Sequence, residues 1–290
     1  MKILVTGANG FIGKNIFLYL KDMYEVKNPT REELNLINTE EVEEYLKKHN
    51  FDIIIHSANV NNVKSKETTS YNVLDGNLRM FYNLQRCQNY YGKMYYFGSG
   101  AEYDMQNYIP NMKEEYFDTF VPIDNYGFSK YIMSKSCKYL DNIYDLRLFG
   151  VFGKYEEWER RFISNAICRV LKGMDILIHK NIFIDYLWID DLCNIIKWFV
   201  QNNPQYHHYN VCTGNKIDLY SLACIVKRVL KSNCKIIVLE EGLKKEYSGD
   251  NSKLLNEIGK YKFVDYEWAI LNLAEFYKKH IDDIDENKFM

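Results

Sequence analysis

The stretch KILVTGANGFIG, residues 2–13, decides the fold of this chain. Its first part, KILVT, is a short apolar run of the kind that forms a strand buried in a parallel sheet. From Phe11 to Leu20 the apolar residues recur at helical spacing, which predicts a helix directly after the strand. The turn between them therefore joins the carboxyl end of a strand to the amino end of a helix.

Three glycines, Gly7, Gly10 and Gly13, are spaced G-x-x-G-x-x-G in this turn. In such a turn the first glycine allows a tight bend, the second lets a pyrophosphate approach the backbone, and the third lets helix and strand pack closely. The N–H groups at the start of the helix then face an anion. The pattern predicts a dinucleotide site formed by Gly7, Asn9, Gly10, Phe11, Ile12 and Gly13.

The rest of the first half alternates short apolar runs with amphipathic stretches. This alternation predicts an α/β fold, a doubly wound parallel sheet of the Rossmann type with right-handed crossovers. The predicted strands are 2–6, 24–26, 51–56, 93–99 and 143–150, and the predicted helices are 11–20, a helix capped by Asn38, 77–91 and 126–140.

Beyond Gly153 the alternation becomes less regular. We therefore expect a dinucleotide-binding domain over residues 1–153 and a smaller C-terminal, substrate-binding lobe over 154–290. Elements within about 182–212 are expected to return to the first domain.

Composition excludes several classes of protein. Lys and Arg number 37 and Asp and Glu 39, so no broad basic surface is expected for nucleic acid or acidic membranes. Seven dispersed cysteines without a C-x-x-C pair, and no apolar run long enough for an export signal or a membrane span, predict a cytoplasmic protein with reduced thiols. No histidine or cysteine pattern predicts a metal site.

The segment after the second strand bears on the choice of coenzyme. NAD-selective sites usually have an acid at the end of this strand, but here Lys27 and Asn28 stand there and Arg31 lies just beyond. Because a guanidinium suits a 2′-phosphate, NADP(H) is favoured over NAD(H), which stays possible. Alternatively, Arg31 pairs with Glu32 or Glu33 at the surface.

The stretch DNYGFSK, residues 124–130, places Tyr126 and Lys130 four positions apart. On a helix these residues share a face, with their Cβ atoms about 5–6 Å apart. A phenol titrates near 10 in water, and a neighbouring cation favours its ionised form. The pair is therefore a candidate for proton transfer at a carbonyl.

With the glycine turn, Ser99 and the Tyr126/Lys130 pair in this order, the chain resembles the extended short-chain dehydrogenase/reductase superfamily of nucleotide-sugar enzymes. The resemblance implies that Tyr126 is the general acid/base. It implies that Lys130 lowers the pKa of Tyr126 and holds the nicotinamide ribose, and that Ser99 hydrogen-bonds the reacting oxygen. Tyr126 and Lys130 thus belong to both the catalytic and the cofactor-binding sets.

Within the superfamily, several segments are most similar to the GDP-fucose synthase group and related 4-keto-sugar reductases. TREELNL (30–36) is similar to the segment in which an arginine meets the NADP phosphate. HSANV (56–60) and NLRMFYNL (77–84) imply cofactor contacts for Ser57, Ala58 and Asn77.

Departures from that group narrow the expected chemistry. Its epimerising cysteine and histidine correspond to Ala101 and Arg161 here, and neither can shuttle a proton near neutral pH. The Asp-Glu pair of the 4,6-dehydratases is replaced by Gly100-Ala101. Ile184 stands where relatives have an arginine for the diphosphate, so Arg160, Arg161, Lys180 or Lys253 would have to replace it. The expected substrate-binding residues are Ser99, Gly100, Ala101, Arg160, Arg161 and Lys253.

We therefore expect NADPH-dependent reduction of a keto group, at C4, of a nucleotide-activated 4-keto-6-deoxy sugar for surface-polysaccharide biosynthesis. A 4-epimerase with retained NAD and a non-catalytic NADP(H)-binding sensor are the alternatives.

Related enzymes pair two helices of each subunit, which implies a homodimer through helices 77–91 and 126–140. The dimer is supported by apolar residues that lie outside the core-facing stripe of these helices, namely Phe81, Leu84, Tyr131 and Met133.

Overall fold

A computed structural model describes residues 1–60 and 70–289, without the side chains of residues 70 and 71. The strands are β1 Lys2–Thr6, β2 Glu25–Lys27, β3 Phe51–His56, β4 Tyr91–Ser99, β5 Ile143–Leu148, β6 Gly150–Phe152, β7 Ile176–Asn181, β8 Phe183–Trp188, β9 His208–Val211, β10 Lys216–Asp218 and β11 Ile236–Leu243. The helices are α1 Phe11–Leu20, α2 Thr39–His49, α3 Ser70–Arg86, α4 Asn125–Cys137, α5 Phe162–Leu171, α6 Ile189–Gln201, α7 Leu219–Val229, α8 Ser252–Ile258 and α9 Tyr266–Lys279.

The central element is a parallel sheet of six strands in the order β2-β1-β3-β4-β5-β9. After β2 the chain crosses to the other side of β1, so the direction of winding reverses between β1 and β3. In open α/β sheets, ligands bind beyond the carboxyl ends of the strands at such a reversal. The predicted doubly wound parallel sheet is confirmed.

The sheet lies between two layers of helices. Ile3 and Val5 of β1 belong to a core cluster that also contains side chains of α1 and α6, whereas Leu4 belongs to a second cluster with α2, α3 and α4. Alternate side chains of a strand point to opposite faces, so one apolar run supplies both clusters. All three side chains are fully buried, and each contributes about 1.5–3 kcal/mol of hydrophobic stabilisation.

The residues after β5 build the remainder of the molecule and also complete the sheet. Strands β6, β8 and β10 form a three-stranded sheet, and β7 and β11 pair in a second small sheet. Strand β9 returns to the edge of the six-stranded sheet beside β5. The predicted division into two domains at residue 153 stays a prediction.

Several element boundaries differ from those that the sequence predicts. Helix α3 covers residues 70–86 rather than 77–91, because residues 88–90 form a 3-10 turn and β4 already begins at Tyr91. The sequence does not predict β7, β10 or α8. Strand β10 has three residues and α8 seven, which is too short for a clear hydrophobic period.

The apolar residues cited for a subunit interface have another role. Phe81 and Leu84 are completely buried within the chain, and Tyr131 and Met133 are 5% and 1% exposed. These four side chains are core residues, so the inference of a dimer from them is wrong. The dimer itself needs support from other residues of α3 and α4.

Membrane spans and metal clusters are two further features that bear on function. Over residues 1–60 and 70–289, no helix has the length and apolarity to span a membrane. In the same residues, no group of three or more His, Cys, Asp or Glu side chains is arranged to hold a metal ion.

Candidate active site

The glycine turn is packed so tightly that two of its positions exclude any side chain. Gly7 has φ of 69°, and a Cβ there would lie 2.6 Å from the backbone of Ala58. A Cβ on Gly13 would lie 2.4 Å from the carbonyl oxygen of Gly7. These glycines hold β1, the start of α1 and the loop after β3 in contact.

Gly10 differs from its two neighbours because the space beside it is open. A Cβ at this position would meet only the Gly7 carbonyl oxygen, at 3.3 Å. Gly10 is also the N-cap of α1, where no side chain caps the helix and no acid occupies the first turn. The first amides of α1 thus keep hydrogen-bonding capacity for an anion, and the pyrophosphate of a dinucleotide fits this turn.

Ser99 lies at the carboxyl end of β4, where the chain enters the 3-10 turn Gly100–Tyr103. Its side-chain oxygen accepts a hydrogen bond from the Ala101 amide at 3.2 Å. In return, Glu102 Oε1 accepts a hydrogen bond from the Ser99 amide at 2.9 Å. This reciprocal capping fixes the position of the serine hydroxyl.

Tyr126 and Lys130 are positioned by the start of α4. Asp124 caps this helix by accepting a hydrogen bond from the Gly127 amide at 2.8 Å. The Lys130 ammonium lies 5.8 Å from the centroid of the Tyr126 ring and donates a hydrogen bond to the Phe97 carbonyl oxygen at 2.8 Å. The start of α4 packs against the turn that follows Ser99, since a Cβ on Gly127 would lie 2.8 Å from the Ala101 carbonyl oxygen, and interaction with Ser99 lowers the pKa of Tyr126. The structure therefore brings together the three side chains that the sequence pairs only by motif.

Comparison with known proteins identifies the family of the chain. Residues 3–212 match the NAD dependent epimerase/dehydratase family. This chain belongs to that family.

Two curated relatives of this epimerase/dehydratase chain and one solved structure cover nearly its whole length. GDP-L-colitose synthase of Yersinia pseudotuberculosis is 24% identical over 306 residues, which cover 96% of this chain and 98% of the relative. GDP-6-deoxy-D-talose 4-dehydrogenase of Aggregatibacter actinomycetemcomitans is 27% identical over 300 residues, with 97% and 98% covered. A GDP-mannoheptose C4 reductase from Campylobacter jejuni with NADP bound superposes with a TM-score of 0.82 at 19% identity, covering 96% and 98%.

Family membership confirms the predicted class of enzyme, an NAD(P)-dependent oxidoreductase of the short-chain dehydrogenase/reductase type. It also supports a nicotinamide dinucleotide as cofactor, without distinguishing NADP from NAD. The roles of individual residues in this family member rest on the geometry of the site.

The pKa of Tyr126 differs from the sequence-based expectation. Burial raises this pKa above its ordinary value, while interaction with Ser99 and the charge of Arg161 lower it. Lys130 is not among these main influences. In this structure Tyr126 therefore holds its proton near neutral pH, which is the state required of a proton donor.

Lys130 is itself tuned by a buried ion cluster. Burial lowers the pKa of Lys130 to about 8, while the charges of Glu102 and Asp145 favour the ammonium form. Both carboxylates are fully buried beside the Arg147 guanidinium, whose Nε lies 2.9 Å from Glu102 Oε2 and 2.8 Å from Asp145 Oδ2. We call Glu102, Asp145 and Arg147 the buried ion cluster.

The other predicted cofactor-binding residues differ in their contacts and in their exposure to solvent. The side chain of Asn77 bridges to Val60 on both its oxygen and its nitrogen, at 2.8 and 2.9 Å, and its nitrogen reaches Ser129 at 3.4 Å. Its polar atoms are thus satisfied within the protein, which indicates that Asn77 positions the loop after β3. Ser57 and Ala58 start that loop, Asn9 is exposed in the glycine turn, and Arg31 is exposed beyond β2.

The predicted substrate-binding residues fall into two groups. Gly100 and Ala101 follow Ser99 directly, and Arg161 lies close enough to Tyr126 to affect its pKa. Arg160 is exposed at the surface. The Lys253 ammonium lies 5.2 Å from the Tyr206 ring and lines a cavity of about 290 Å³ with Glu114 and Glu257. The structure does not bring Arg160 or Lys253 into the group around Ser99, and their substrate roles stay predictions.

Four residues at or beneath the site were missed in the sequence. Glu102, Asp145 and Arg147 carried a usable signal, because charged side chains interrupt otherwise apolar stretches around β4 and β5. Tyr247, whose hydroxyl oxygen would lie 2.7 Å from a Cβ on Gly100, carried none, because it is distant in sequence and one of 25 tyrosines.

Two glycine substitutions should separate cofactor binding from folding. For Gly10→Ala we expect a change in the free energy of unfolding below about 1 kcal/mol, since only one atom is crowded, but at least about tenfold weaker NADPH binding. For Gly13→Ala we expect a loss of stability of about 1–3 kcal/mol, because its Cβ would overlap the Gly7 carbonyl. Thermal unfolding without cofactor and a fluorescence titration with NADPH measure both. Equal effects of the two variants on stability would contradict the different roles given to these glycines.

Activity should fall as pH rises through the pKa of Lys130, about 8, because the lysine then loses its charge. Burial raises the pKa of Glu102 well above its usual range, so the charge of Asp145 is the one to remove. For Asp145→Asn the alkaline decline of turnover should move to lower pH. The matched control is Glu114→Gln, a buried carboxyl that accepts a hydrogen bond from the Asn210 amide and does not influence Lys130 in this way. An Asp145→Asn profile identical to that of the wild-type protein would refute the assignment.

Proposed function

We propose that this chain reduces a keto group, at C4, of a nucleotide-activated 4-keto-6-deoxy sugar, with NADPH as the preferred coenzyme. The observation that carries the proposal is the packing of the start of α4, which holds Tyr126 and Lys130, against the turn that follows Ser99 at the carboxyl end of β4. This edge of the sheet is where α/β folds bind ligands.

Each of the three side chains has a separate task in this proposal. Ser99 donates a hydrogen bond to the substrate carbonyl and so stabilises negative charge on its oxygen. Tyr126, protonated near neutral pH, gives its proton to that oxygen as general acid. Lys130 holds a positive charge beneath the phenol. A bound nicotinamide coenzyme supplies the hydride.

The residues around the catalytic group favour simple reduction over epimerisation. Epimerisation at a carbon next to the carbonyl needs a second acid and base, and the methyl group of Ala101 can be neither. The other position holds Arg161, whose guanidinium remains protonated. Because Arg161 is a cation close to Tyr126, it can instead stabilise an anionic group of the substrate or the negative charge that develops on the substrate carbonyl oxygen.

The surroundings of Arg31 support NADPH over NADH. Among the described residues, no ion pair joins Arg31 to Glu32 or Glu33, and Glu33 instead accepts a hydrogen bond from the Thr30 amide at 2.7 Å. The exposed guanidinium is therefore available for a 2′-phosphate, as an NADP site requires. The C. jejuni reductase with a similar fold contains NADP.

The class of substrate follows from the relatives. The two curated relatives described above are named for GDP-linked sugars, and the similar structure for a GDP-linked heptose. In this chain Ile184 provides no cation for the diphosphate, whereas Arg161 is an exposed arginine near the catalytic tyrosine. We therefore propose a nucleotide-linked keto sugar and leave the nucleotide to the experiment.

Removal of one hydroxyl should abolish most of the activity. For Tyr126→Phe we expect turnover at least about a hundredfold lower with NADPH binding retained, because the general acid is lost. The control is Tyr131→Phe on the same helix, whose hydroxyl contacts Asp118 instead, and which should keep near-normal turnover. Oxidation of NADPH and NADH is measured with a panel of nucleotide-linked 4-keto sugars.

The outcomes separate the rival functions. Purified protein that carries stoichiometric nicotinamide and needs none added would indicate a 4-epimerase. Tight NADPH binding without oxidation by any keto sugar would indicate a sensor. Near-normal turnover of Tyr126→Phe would defeat the proposed mechanism.

We also propose a homodimer through the outward faces of α3 and α4. These helices pack against each other, and their partly exposed apolar residues include Leu74, Leu78 and Tyr82 on α3 and Phe128 and Ile132 on α4. We expect a mass of about twice 34.6 kDa in sedimentation at micromolar concentration, and a smaller mass after Ile132→Lys. A monomeric wild-type protein would contradict the dimer.

A further inference from the structure

Strand β11 is an exposed strand at the edge of a small sheet. It pairs with β7 on one side, and within residues 1–60 and 70–289 no strand pairs with its other side. Four of its eight residues are exposed apolar side chains, namely Ile237, Val238, Leu239 and Leu243. An open edge with apolar side chains is a template on which another strand can pair.

The features that usually protect an edge strand do not cover this one. Proline, a bulge or an inward-pointing charge commonly prevents an edge from pairing with another chain. The sequence of β11, IIVLEEGL, contains no proline, and its irregularity lies near the end, between Glu240 and Leu243. Residues 236–240 therefore offer a regular, open edge.

The hydrogen bonds of Lys235, just before β11, show which backbone groups are free. The Lys235 amide donates to Asp175 Oδ1 at 2.7 Å, and its carbonyl oxygen accepts from the Ile176 amide at 2.9 Å. Both groups thus point toward β7. Because successive residues of a strand direct their backbone groups alternately to either side, those of Ile236, Val238 and Glu240 point outward.

The side chains on the exposed face of β11 are complementary to themselves in reverse order. Ile236 packs against the main core, so the alternation of a strand places Lys235, Ile237, Leu239 and Glu241 on the opposite face. Their order is cation, apolar, apolar, anion. An antiparallel copy of the same strand would present an anion to the cation and an apolar residue to each apolar residue.

We propose that β11 pairs with β11 of a second copy of this chain, antiparallel, about a two-fold axis at Val238. In this register the outward N–H and C=O of Val238 bond to those of the partner's Val238. Lys235 then lies opposite Glu241 and Ile237 opposite Leu239, and the symmetry makes each of these pairs twice. Glu241 is the first residue beyond the regular part of β11, and the long lysine side chain can span a small displacement.

Other registers lose this complementarity. A shift of the two-fold axis by one residue sets Lys235 opposite Leu239 or Leu243. A shift to Glu240 sets two glutamates face to face, and like charges directly opposite each other destabilise a strand pair. Charge therefore selects the register centred on Val238.

This contact is expected to be weaker than the proposed dimer of α3 and α4. Two short strands bury less than the roughly 1,200 Å² of a stable interface. Because each contact has its own two-fold axis, the strand contact would join dimers into larger assemblies as the protein concentration rises. None of this requires the proposed reaction, since association is measured without substrate.

Sedimentation of the full chain tests the association. Between about 10 μM and about 1 mM, we expect the mass of the wild-type protein to rise above twice 34.6 kDa, and Ile132→Lys, which lacks the helix contact, to rise from one chain to two. Glu241→Lys should weaken this rise at least about tenfold, because Lys235 then meets a lysine. Lys235→Glu combined with Glu241→Lys should restore it. The matched control is Glu44→Lys, the same change at an exposed position of α2.

Cross-linking tests the register. In a background with the two partly exposed cysteines, Cys224 and Cys234, changed to serine, Val238→Cys should form an intermolecular disulfide on mild oxidation. The two Cα atoms of this pair would be about 5.5 Å apart, which suits a disulfide. Glu240→Cys should not cross-link, because it lies opposite the partner's Ile236 and about 14 Å from the partner's residue 240.

The outcomes decide between pairing and an unpaired edge. A mass that does not rise with concentration, or a rise that Glu241→Lys leaves unchanged, overturns the proposal. So does failure of the charge exchange to restore association in a variant whose melting temperature shows that it is folded. Equal cross-linking of Val238→Cys and Glu240→Cys, or of neither, overturns the register. An inactive wild-type protein would contradict the proposed function and leave these results as they are.

Discussion

The site depends on charges that are balanced where water cannot reach them. Glu102 and Asp145 are fully buried on either side of Arg147, and Glu102 also accepts the hydrogen bond of the Ser99 amide. An unpaired buried charge costs several kcal/mol, so loss of one partner would strain the others. Because the same carboxylates favour the charged form of Lys130, the position of the serine and the charge of the lysine have a common origin.

The combination of residues restricts the chemistry more than the fold does. Doubly wound sheets of this kind carry many reactions, and function is determined by the side chains at the crevice. Here a serine, a tyrosine and a lysine remain available for proton and hydride transfer at one carbon, whereas Ala101 removes the usual means of proton abstraction at a neighbouring carbon. The guanidinium of Arg161 adds a permanent positive charge near the phenol. The proposed reduction makes use of all of these groups.

Much of this arrangement could be predicted from the sequence, because its signals are local. The glycine spacing, the apolar run KILVT and the Tyr126/Lys130 pair each lie within a few consecutive residues, and they indicated the sheet, the loop and the catalytic helix. Contacts between distant segments could not be predicted. Tyr247 reaches Gly100 because its backbone pairs with β8, and Phe81 and Leu84 are distinguished as core residues only by the neighbours that cover them. The expected effect of Lys130 on the pKa of Tyr126 failed for the same reason, since burial and Arg161 are properties of the folded chain.

The return of β9 to the edge of the sheet has a consequence for how the chain can be divided. Strand β5 is buried along its whole length, and β9 supplies its outer neighbour from a point well beyond Gly153 in the chain. A fragment that ends near Gly153 would leave the outward N–H and C=O groups of β5 without their strand partner and uncover the charges of Asp145 and Arg147. Open strand edges of this kind recruit other chains and lead to aggregation. We therefore expect a fragment that ends near Gly153 to fold poorly without the residues that supply β9.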